Sequence, residues 1–221
     1  MKLHIDPRSS SSLRVLCVVA HKQIALEVVA LSLVQGEHLG DAYRAINPAA
    51  AVPALVLDDG TVLIQSLAIV EWLEARHPEP ALVPRDDTAL ARMRGICGYV
   101  ASEVHPITNM RVRKQIAAMQ PGDAAAGALA TAAWCRQRSD EALSTLERLL
   151  TPVAGAFCFG DTATLADFFV TPALLNAERF GCDVAGWPTL SRIYATCLAL
   201  PSFAMVQQAR GPMAAAKPAT T

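Results

Sequence analysis

The sequence has little charge and no long uninterrupted apolar run. Only 18% of its 221 residues are charged and the net charge is -1, so it offers no basic surface that would attract a polyanion. Hydrophobic residues make up 52%, but charges, Pro or Gly interrupt them well short of a membrane span, and the N-terminus lacks the apolar core of a signal peptide. We therefore expect a soluble globular protein of the cytoplasm, with no nucleic-acid partner and no membrane partner.

Paired cysteines are also absent. None of the six cysteines forms a Cys-x-x-Cys motif, which argues against a zinc knuckle and against dithiol redox chemistry, and no other metal site is expected. Most have apolar neighbours, so we expect reduced thiols that behave as small core residues. They are Cys17, Cys97, Cys135, Cys158, Cys182 and Cys197.

Residues 52–66 carry the strongest local signal in the chain, which is that of a β-hairpin. Two apolar runs, 54–57 and 62–64, flank an Asp-Asp-Gly-Thr turn. Pro53 has no backbone N–H to donate and is expected at the mouth of the hairpin, where its bond to Val52 is a candidate cis peptide. That geometry would turn the amide and carbonyl of Val52 towards an extended, peptide-like ligand.

The hairpin leads into a helix. Gln65 and Ser66 precede a helical pattern, so Ser66 is a predicted N-cap, and the free amides at such a helix start attract a carboxylate. The alternative is an ordinary hairpin followed by a capped helix.

The first part of the chain alternates strands and helices. Strands are predicted over 2–5 and 26–33, and helices after the serine run and over 38–47, ahead of the hairpin and its helix. This order is βαβ followed by ββα, which a right-handed crossover folds into a four-stranded mixed sheet with helices on its faces.

The second part is predicted to be helical. Three prolines within residues 78–84 mark the boundary between a domain over 1–80 and one over 86–210. Further predictions are a long helix over 88–119 broken at His105-Pro106, a loop over 120–128, a capping pattern at Thr164 and Asp167, and a disordered tail over 211–221. Other helices are predicted over 129–150, 164–180, 189–198 and 202–208.

A run of hydroxyls lies between Arg8 and Val15, where the sequence is Arg-Ser-Ser-Ser-Ser-Leu-Arg-Val. On composition it could be a flexible loop. A hydroxyl beside the first turn of a helix can also donate to an anion that the helix dipole already favours.

These segments resemble the zeta class of glutathione transferases. The serine run is similar to the signature Arg-Ser-Ser-Cys-Ser-Trp-Arg-Val of that class, and further motifs occur in the same order over roughly residues 1–210. They are Asn47-Pro48, Val52-Pro53, Gln65-Ser66, His105 to Asn109, the folding cap from Phe159 to Asp167, and Asn176 to Phe180. The resemblance implies a thioredoxin-like α/β N-terminal domain (βαβ-ββα), an all-α C-terminal domain and a homodimer.

The class includes isomerases of maleylpyruvate and maleylacetoacetate, which act in aromatic degradation and use glutathione as a catalytic cofactor. The resemblance implies that the thiolate adds to the cis alkene of a dicarboxylate, that rotation follows, and that elimination returns glutathione. Ser9 would stabilise the thiolate with help from Ser10 and Ser11. Glutathione would be held by His38, Val52, Pro53, Gln65, Ser66, His105 and Asn109.

Arginine suits a dicarboxylate substrate because it grips each carboxylate with two parallel hydrogen bonds. The resemblance brings Arg8, Arg111 and Arg179 to one cleft for that purpose.

The chain departs from the signature at three places. Ser11 replaces the cysteine of the class, Leu13 replaces its aromatic residue, and residues 4–7 replace a more aromatic segment, which leaves the exact substrate open. Two alternatives also stay open: a transferase that conjugates or dehalogenates small electrophiles, and a non-enzymatic binding protein.

Overall fold

The predicted order of strands is confirmed. The computed structural model describes residues 1–210, which contain one four-stranded sheet. Its strands are β1 (Lys2–Ile5), β2 (Glu27–Ala30), β3 (Ala54–Val56) and β4 (Val62–Ile64).

The sheet has the spatial order β2-β1-β3-β4. β1 pairs in parallel with β2 and antiparallel with β3, and β3 and β4 form the predicted hairpin. Strand β1 lies inside the sheet, with the apolar Leu3 and Ile5 buried on one face and His4 buried on the other. Leu3 pairs with the equally buried Leu55. Because β1 and β3 are antiparallel, the end of β1 lies next to the start of β3.

The described helices extend over both parts of the chain. They are α1 (Ser10–His21), α2 (Asp41–Ile46), α3 (Ser66–Arg76), α4 (Asp87–Tyr99), α5 (Met110–Ala118), α6 (Ala124–Leu150), α7 (Leu165–Arg179), α8 (Pro188–Leu198) and α9 (Pro201–Arg210). Short 3-10 turns occur at Glu37–Leu39, Pro106–Thr108 and Val184–Gly186.

The described residues divide into two units, Met1–Val83 with residues 200–210, and Pro84–Ala199. All of residues 86–210 are predicted to belong to the helical domain, whereas α9 belongs to the first unit. It packs on α1 and buries Phe203 and Val206. The predicted tail over 211–221 lies outside the described residues.

Two helix boundaries differ from the predictions. The helix predicted over 38–47 is a 3-10 turn and the shorter α2, with Gly40 between them. The loop predicted over 120–128 ends early, because the Asp123 carboxylate accepts the Ala126 N–H at 2.8 Å and begins α6. The close approach of α5 favours glycine at position 127, because a Cβ atom there would lie only 3.0 Å from the Ala117 carbonyl oxygen.

The break predicted at His105-Pro106 is confirmed. Helix α4 ends at Tyr99, a π-helical turn follows at Val100–Val104, and α5 begins only at Met110.

The second unit is built around α7. Its predicted capping box is present, with the Asp167 carboxylate accepting the Thr164 N–H at 2.8 Å, and Pro172 lies inside the helix. Residues 165–174 of α7 are buried, and α4, α6 and α8 contact the helix.

All six cysteines are buried and none forms a disulfide, as predicted. Within residues 1–210, no single helix is both long enough and apolar enough to cross a membrane. One consecutive pair, Pro188–Leu198 with Pro201–Gln208, meets those two criteria only when taken together.

Candidate active site

Ser9 is the residue at which the loop after β1 becomes α1. It is the N-cap of the helix, and its Oγ accepts the Ser12 N–H at 3.3 Å while its own N–H donates to the Asp6 carbonyl at 3.0 Å. Because Ser9 is the N-cap, its hydroxyl lies at the positive end of the dipole of this 12-residue helix. The residue is half-buried.

Ser11 connects this helix start to the hairpin. Its Oγ lies 2.9 Å from Ser9 Oγ and donates to the Val52 carbonyl oxygen at 3.0 Å. Ser10, the third predicted catalytic serine, is more buried than either neighbour.

The hairpin mouth is supported from α2. Tyr43 Oη and Asn47 Nδ2 both donate to the Ala51 carbonyl oxygen at 2.7 Å. Beneath them His4 packs on the Tyr43 ring at 5.8 Å, and burial, with a smaller effect of Lys2, lowers the pKa of His4. The Val52-Pro53 peptide bond is cis, as predicted.

Asp6 organises the loop that carries Arg8. Its buried carboxylate accepts the Arg8 N–H at 2.6 Å and the Leu33 N–H at 2.8 Å, and it lies 3.9 Å from Arg8 Nε. The loop after β1 is therefore fixed to the segment after β2. This role of Asp6 is not visible in the sequence, because Leu33 lies 27 positions away.

The predicted N-cap of α3 is wrong. Gln65 is the N-cap, and Ser66 is the first helical residue. Gln65 has φ 71°, a backbone conformation that costs a residue other than glycine about 1–3 kcal/mol. Ser66 is free of the capping role because its own backbone is already helical.

Ser66 instead contacts Arg14, another residue that sequence analysis did not assign. The buried Arg14 donates from a terminal guanidinium nitrogen to Ser66 Oγ at 3.2 Å. A hydroxyl that accepts this bond keeps its own hydrogen for a ligand.

The other predicted glutathione contacts lie elsewhere in the described chain. His38 is half-buried in the 3-10 turn before α2. In the second unit, His105 lies between the π-helical and 3-10 turns, and Asn109 caps α5 by accepting the Val112 N–H at 3.1 Å. Their contacts with glutathione stay predictions.

Two of the predicted substrate arginines belong to the second unit. Arg111 is exposed on α5, and Arg179 is exposed at the end of α7. The Arg113 guanidinium of α5 lies over the ring of Phe180, the residue that follows α7, 5.8 Å from its centre. Arg113 was not predicted, and because it lies two positions from Arg111 it faces a different side of α5.

The grouping of the described side chains also bears on metal binding. Within the part of the chain that the structure describes, no three His, Cys, Asp or Glu side chains are grouped to hold an ion. The site offers hydroxyls, arginines and helix amides, which suit an anionic organic ligand.

Comparison with known families agrees with this geometry. Residues 8–76 match the glutathione S-transferase N-terminal domain and residues 113–201 match the glutathione S-transferase C-terminal domain. The chain therefore belongs to the glutathione S-transferase family.

Its relatives assign it to the zeta class, as predicted. It is 38% identical to a maleylpyruvate isomerase of Ralstonia sp. over 96% of this chain and 99% of that protein. A holo structure of a maleyl pyruvate isomerase, described as a bacterial glutathione S-transferase of the zeta class, has 36% identity and a TM-score of 0.88, covering 96% and 99% of the two chains. A maleylacetoacetate isomerase from Anaeromyxobacter dehalogenans, with dicarboxyethyl glutathione and citrate in its active site, has 38% identity and a TM-score of 0.83, covering 96% of each chain.

Proposed function

We propose that the protein is a glutathione-dependent cis-trans isomerase of a maleyl-type dicarboxylate, maleylpyruvate or maleylacetoacetate. The observation that carries this proposal is the placement of the Ser9 hydroxyl at the start of α1, joined through Ser11 to the Val52 carbonyl. The isomerase activity of its relatives supports the same reaction.

The first unit fits glutathione at two places. The backbone of Val52, at the hairpin mouth, would pair with the cysteinyl backbone beside cis Pro53. The γ-glutamyl carboxylate would lie at the start of α3, where helix amides, Gln65 and the Ser66 hydroxyl are available. Arg14 places a buried positive charge behind Ser66 and favours the same anion.

The thiol of glutathione must ionise in order to react. A free thiol has a pKa of about 8.5 and is mostly protonated at neutral pH. The hydroxyl of Ser9 and the dipole of α1 would stabilise the thiolate and lower that pKa.

The substrate presents two carboxylates, for which we propose Arg8, Arg111 and Arg179. Arg8 adjoins Ser9 and is held by Asp6, while Arg111 lies on α5 and Arg179 at the end of α7, both exposed in the second unit. The Anaeromyxobacter relative supports this assignment, because dicarboxyethyl glutathione joins glutathione to a group with two carboxyls.

The reaction conserves glutathione. The thiolate sulfur forms a bond to one alkene carbon, and the electron pair of the double bond moves into the conjugated carbonyl. The former double bond is now single and rotates. The electron pair then returns, the carbon–sulfur bond breaks, and the trans alkene and the thiolate leave.

We also propose a homodimer in which the first unit of one chain covers the second unit of its partner. Both units expose large apolar side chains, among them Val28 and Leu39 in the first and Leu129 and Leu149 in the second. Sedimentation that showed only monomer at micromolar concentration would contradict this assembly.

We also propose a cytoplasmic location, on the basis of the need for glutathione and the state of the cysteines. The reaction needs a supply of glutathione, and the six buried thiols are typical of a reducing compartment. Cell fractionation that recovered the protein outside the cytoplasm would count against it.

The proposed activity is tested by incubating the protein with maleylpyruvate and, separately, maleylacetoacetate. We expect the trans isomer to form only when glutathione is present. Activity without glutathione, or no isomerisation of either compound, would overturn the proposal. A conjugate or a dehalogenated product as the main outcome with small electrophiles would identify a transferase of another kind.

A further inference from the structure

The hydrogen bonds around Ser11 have a single consistent direction. A backbone carbonyl has no hydrogen to give, so Ser11 is the donor in its 3.0 Å contact with Val52. Ser11 carries only one hydroxyl hydrogen, so Ser9 is the donor in the 2.9 Å contact between the two hydroxyls. The hydrogen bonds therefore run from Ser9 through Ser11 to the Val52 carbonyl, and we call these three groups the hydroxyl chain.

In this direction the Ser9 hydroxyl hydrogen, which the thiolate would need to accept, is already donated to Ser11. Ser9 Oγ already accepts the Ser12 N–H at 3.3 Å, and its hydrogen is directed to Ser11. A thiolate has no hydrogen of its own and can only accept. Stabilisation of the thiolate by Ser9 therefore requires the Ser9 hydroxyl to turn away from Ser11.

We propose that binding of the glutathione backbone at Val52 reverses the hydroxyl chain, and that Ser11 is the positioning residue for this reversal. The inference rests on the proposed function, in which the cysteinyl N–H of glutathione pairs with the Val52 carbonyl. That N–H takes the place of Ser11 on the carbonyl oxygen. Ser11 then donates to Ser9 Oγ, and Ser9 donates to the thiolate sulfur; both hydroxyls rotate and no covalent bond changes.

The reversed chain makes Ser9 a better donor. Its oxygen then accepts from the Ser11 hydroxyl and from the Ser12 N–H while its hydrogen is directed to sulfur. Hydrogen bonds arranged in this way polarise and strengthen one another. The full effect requires a ligand with a cysteinyl amide, so the site would favour peptide thiols over simple thiols.

A double-mutant cycle tests the reversal. The pKa of bound glutathione is measured by ultraviolet titration of the thiolate in the wild type, Ser11→Ala, Ser9→Ala and the double variant. Ser11→Ala should raise that pKa by about half a unit, a roughly threefold change in the ionisation constant. In the Ser9→Ala background the same change should have no further effect, because Ser11 acts through Ser9.

Two outcomes would overturn the proposal. A wild-type pKa in Ser11→Ala would show that Ser11 does not act on the thiolate. Additive shifts in the double variant would show that Ser11 donates to sulfur independently of Ser9.

S-methylglutathione separates this role from a merely structural one, because it keeps the peptide backbone and has no thiolate. Its dissociation constant should change less than about twofold in Ser11→Ala. Equal losses of affinity for glutathione and S-methylglutathione, with an unshifted pKa, would reduce Ser11 to a support of the hairpin and overturn the proposal. Ser102→Ala, an exposed serine of the second unit, is the matched control and should give wild-type values. The titration needs only bound glutathione, so it can be read even if isomerase activity proves absent.

Discussion

Ser9 is the residue whose loss should affect thiolate chemistry more than ligand binding. Ser9→Ala should raise the pKa of bound glutathione and lower kcat, while the dissociation constant for glutathione changes little. Ser9 also caps α1, and an alanine cap costs about 0.5–2 kcal/mol of stability, whereas a glycine cap costs only a few tenths. Ser9→Gly should therefore shift the thiol pKa as Ser9→Ala does but leave the melting temperature nearer that of the wild type.

Ultraviolet titration, steady-state kinetics and thermal unfolding of the two Ser9 variants check this separation. If both variants kept the wild-type thiol pKa, Ser9 would have no role beyond capping.

Arg111 and Arg179 are expected to position the substrate. Alanine at either residue should raise KM for the dicarboxylate about tenfold or more, because a charge-assisted hydrogen bond contributes about 1.5–3 kcal/mol. Lysine should restore only part of the loss, since it supplies charge without the planar fork. Arg192→Ala, on the exposed face of α8, is the matched control. Unchanged kinetics in both alanine variants would remove these arginines from the site.

Among the elements, α1 and α3 are joined by a buried ion pair. Lys22 Nζ lies 2.7 Å from Glu74 Oε2 and also donates to the His77 and Pro80 carbonyl oxygens at 2.7 Å. Glu74 Oε1 accepts the Leu82 N–H at 2.9 Å. The pair therefore fixes the ends of both helices to the proline-rich segment.

Glu74→Ala should lower the free energy of unfolding by about 3–5 kcal/mol, because it leaves a buried lysine without its counter-charge. The double variant Lys22→Met, Glu74→Leu should recover only part of that loss, because it removes the unpaired charge but leaves the His77 and Pro80 carbonyls and the Leu82 N–H without these partners. Chemical denaturation measures both, with the exposed Glu103→Ala expected within about 0.5 kcal/mol of the wild type. A loss below 1 kcal/mol in Glu74→Ala would contradict the importance of the pair.

Helix α8 depends on a carboxylate from α6. Glu147 accepts the Thr189 and Leu190 N–H groups at 2.9 Å each, which satisfies the first turn of α8. Burial alone would raise the pKa of Glu147, but the hydrogen bonds from Leu190 and Thr189 outweigh it and lower the pKa below its ordinary value of 4.5.

A depressed carboxyl pKa has a defined effect on stability. The contribution is fully present above the ordinary pKa and is lost as the pH falls through the lowered one. Glu147→Gln should therefore be less stable than the wild type by about 1 kcal/mol at pH 7, a typical value for a lost cap. Chemical denaturation at a series of pH values should show this gap closing below about pH 4.5. A gap independent of pH would contradict the assignment.

At the scale of the whole molecule, local signals predicted the elements that are specified locally. The Asp-Asp-Gly-Thr turn predicted the β3–β4 hairpin, and the Thr164 and Asp167 pattern predicted the start of α7. The order of the two domains followed from the strand-helix pattern and the proline-rich boundary. The family resemblance added the candidate site residues, whose contacts with glutathione and substrate stay predictions.

Features that depend on distant contacts were not predictable from local patterns. The packing of α9 on α1, the positive φ of Gln65 and the bond from Ser11 to Val52 are tertiary effects. Serine is a better N-cap than glutamine by propensity, which is why Ser66 was predicted in place of Gln65. The role of Asp6 was not predictable for the same reason: its partner Leu33 lies next to it only after the sheet forms.

The most direct test of the isomerase account is the balance between product formed and glutathione consumed. Wild-type protein is incubated with a large excess of maleylpyruvate over glutathione, and free thiol is titrated as the trans isomer accumulates. The account predicts many molecules of trans product for each glutathione present, with no loss of thiol. Consumption of one thiol for each substrate molecule, or product formation that stops when glutathione is exhausted, would contradict it.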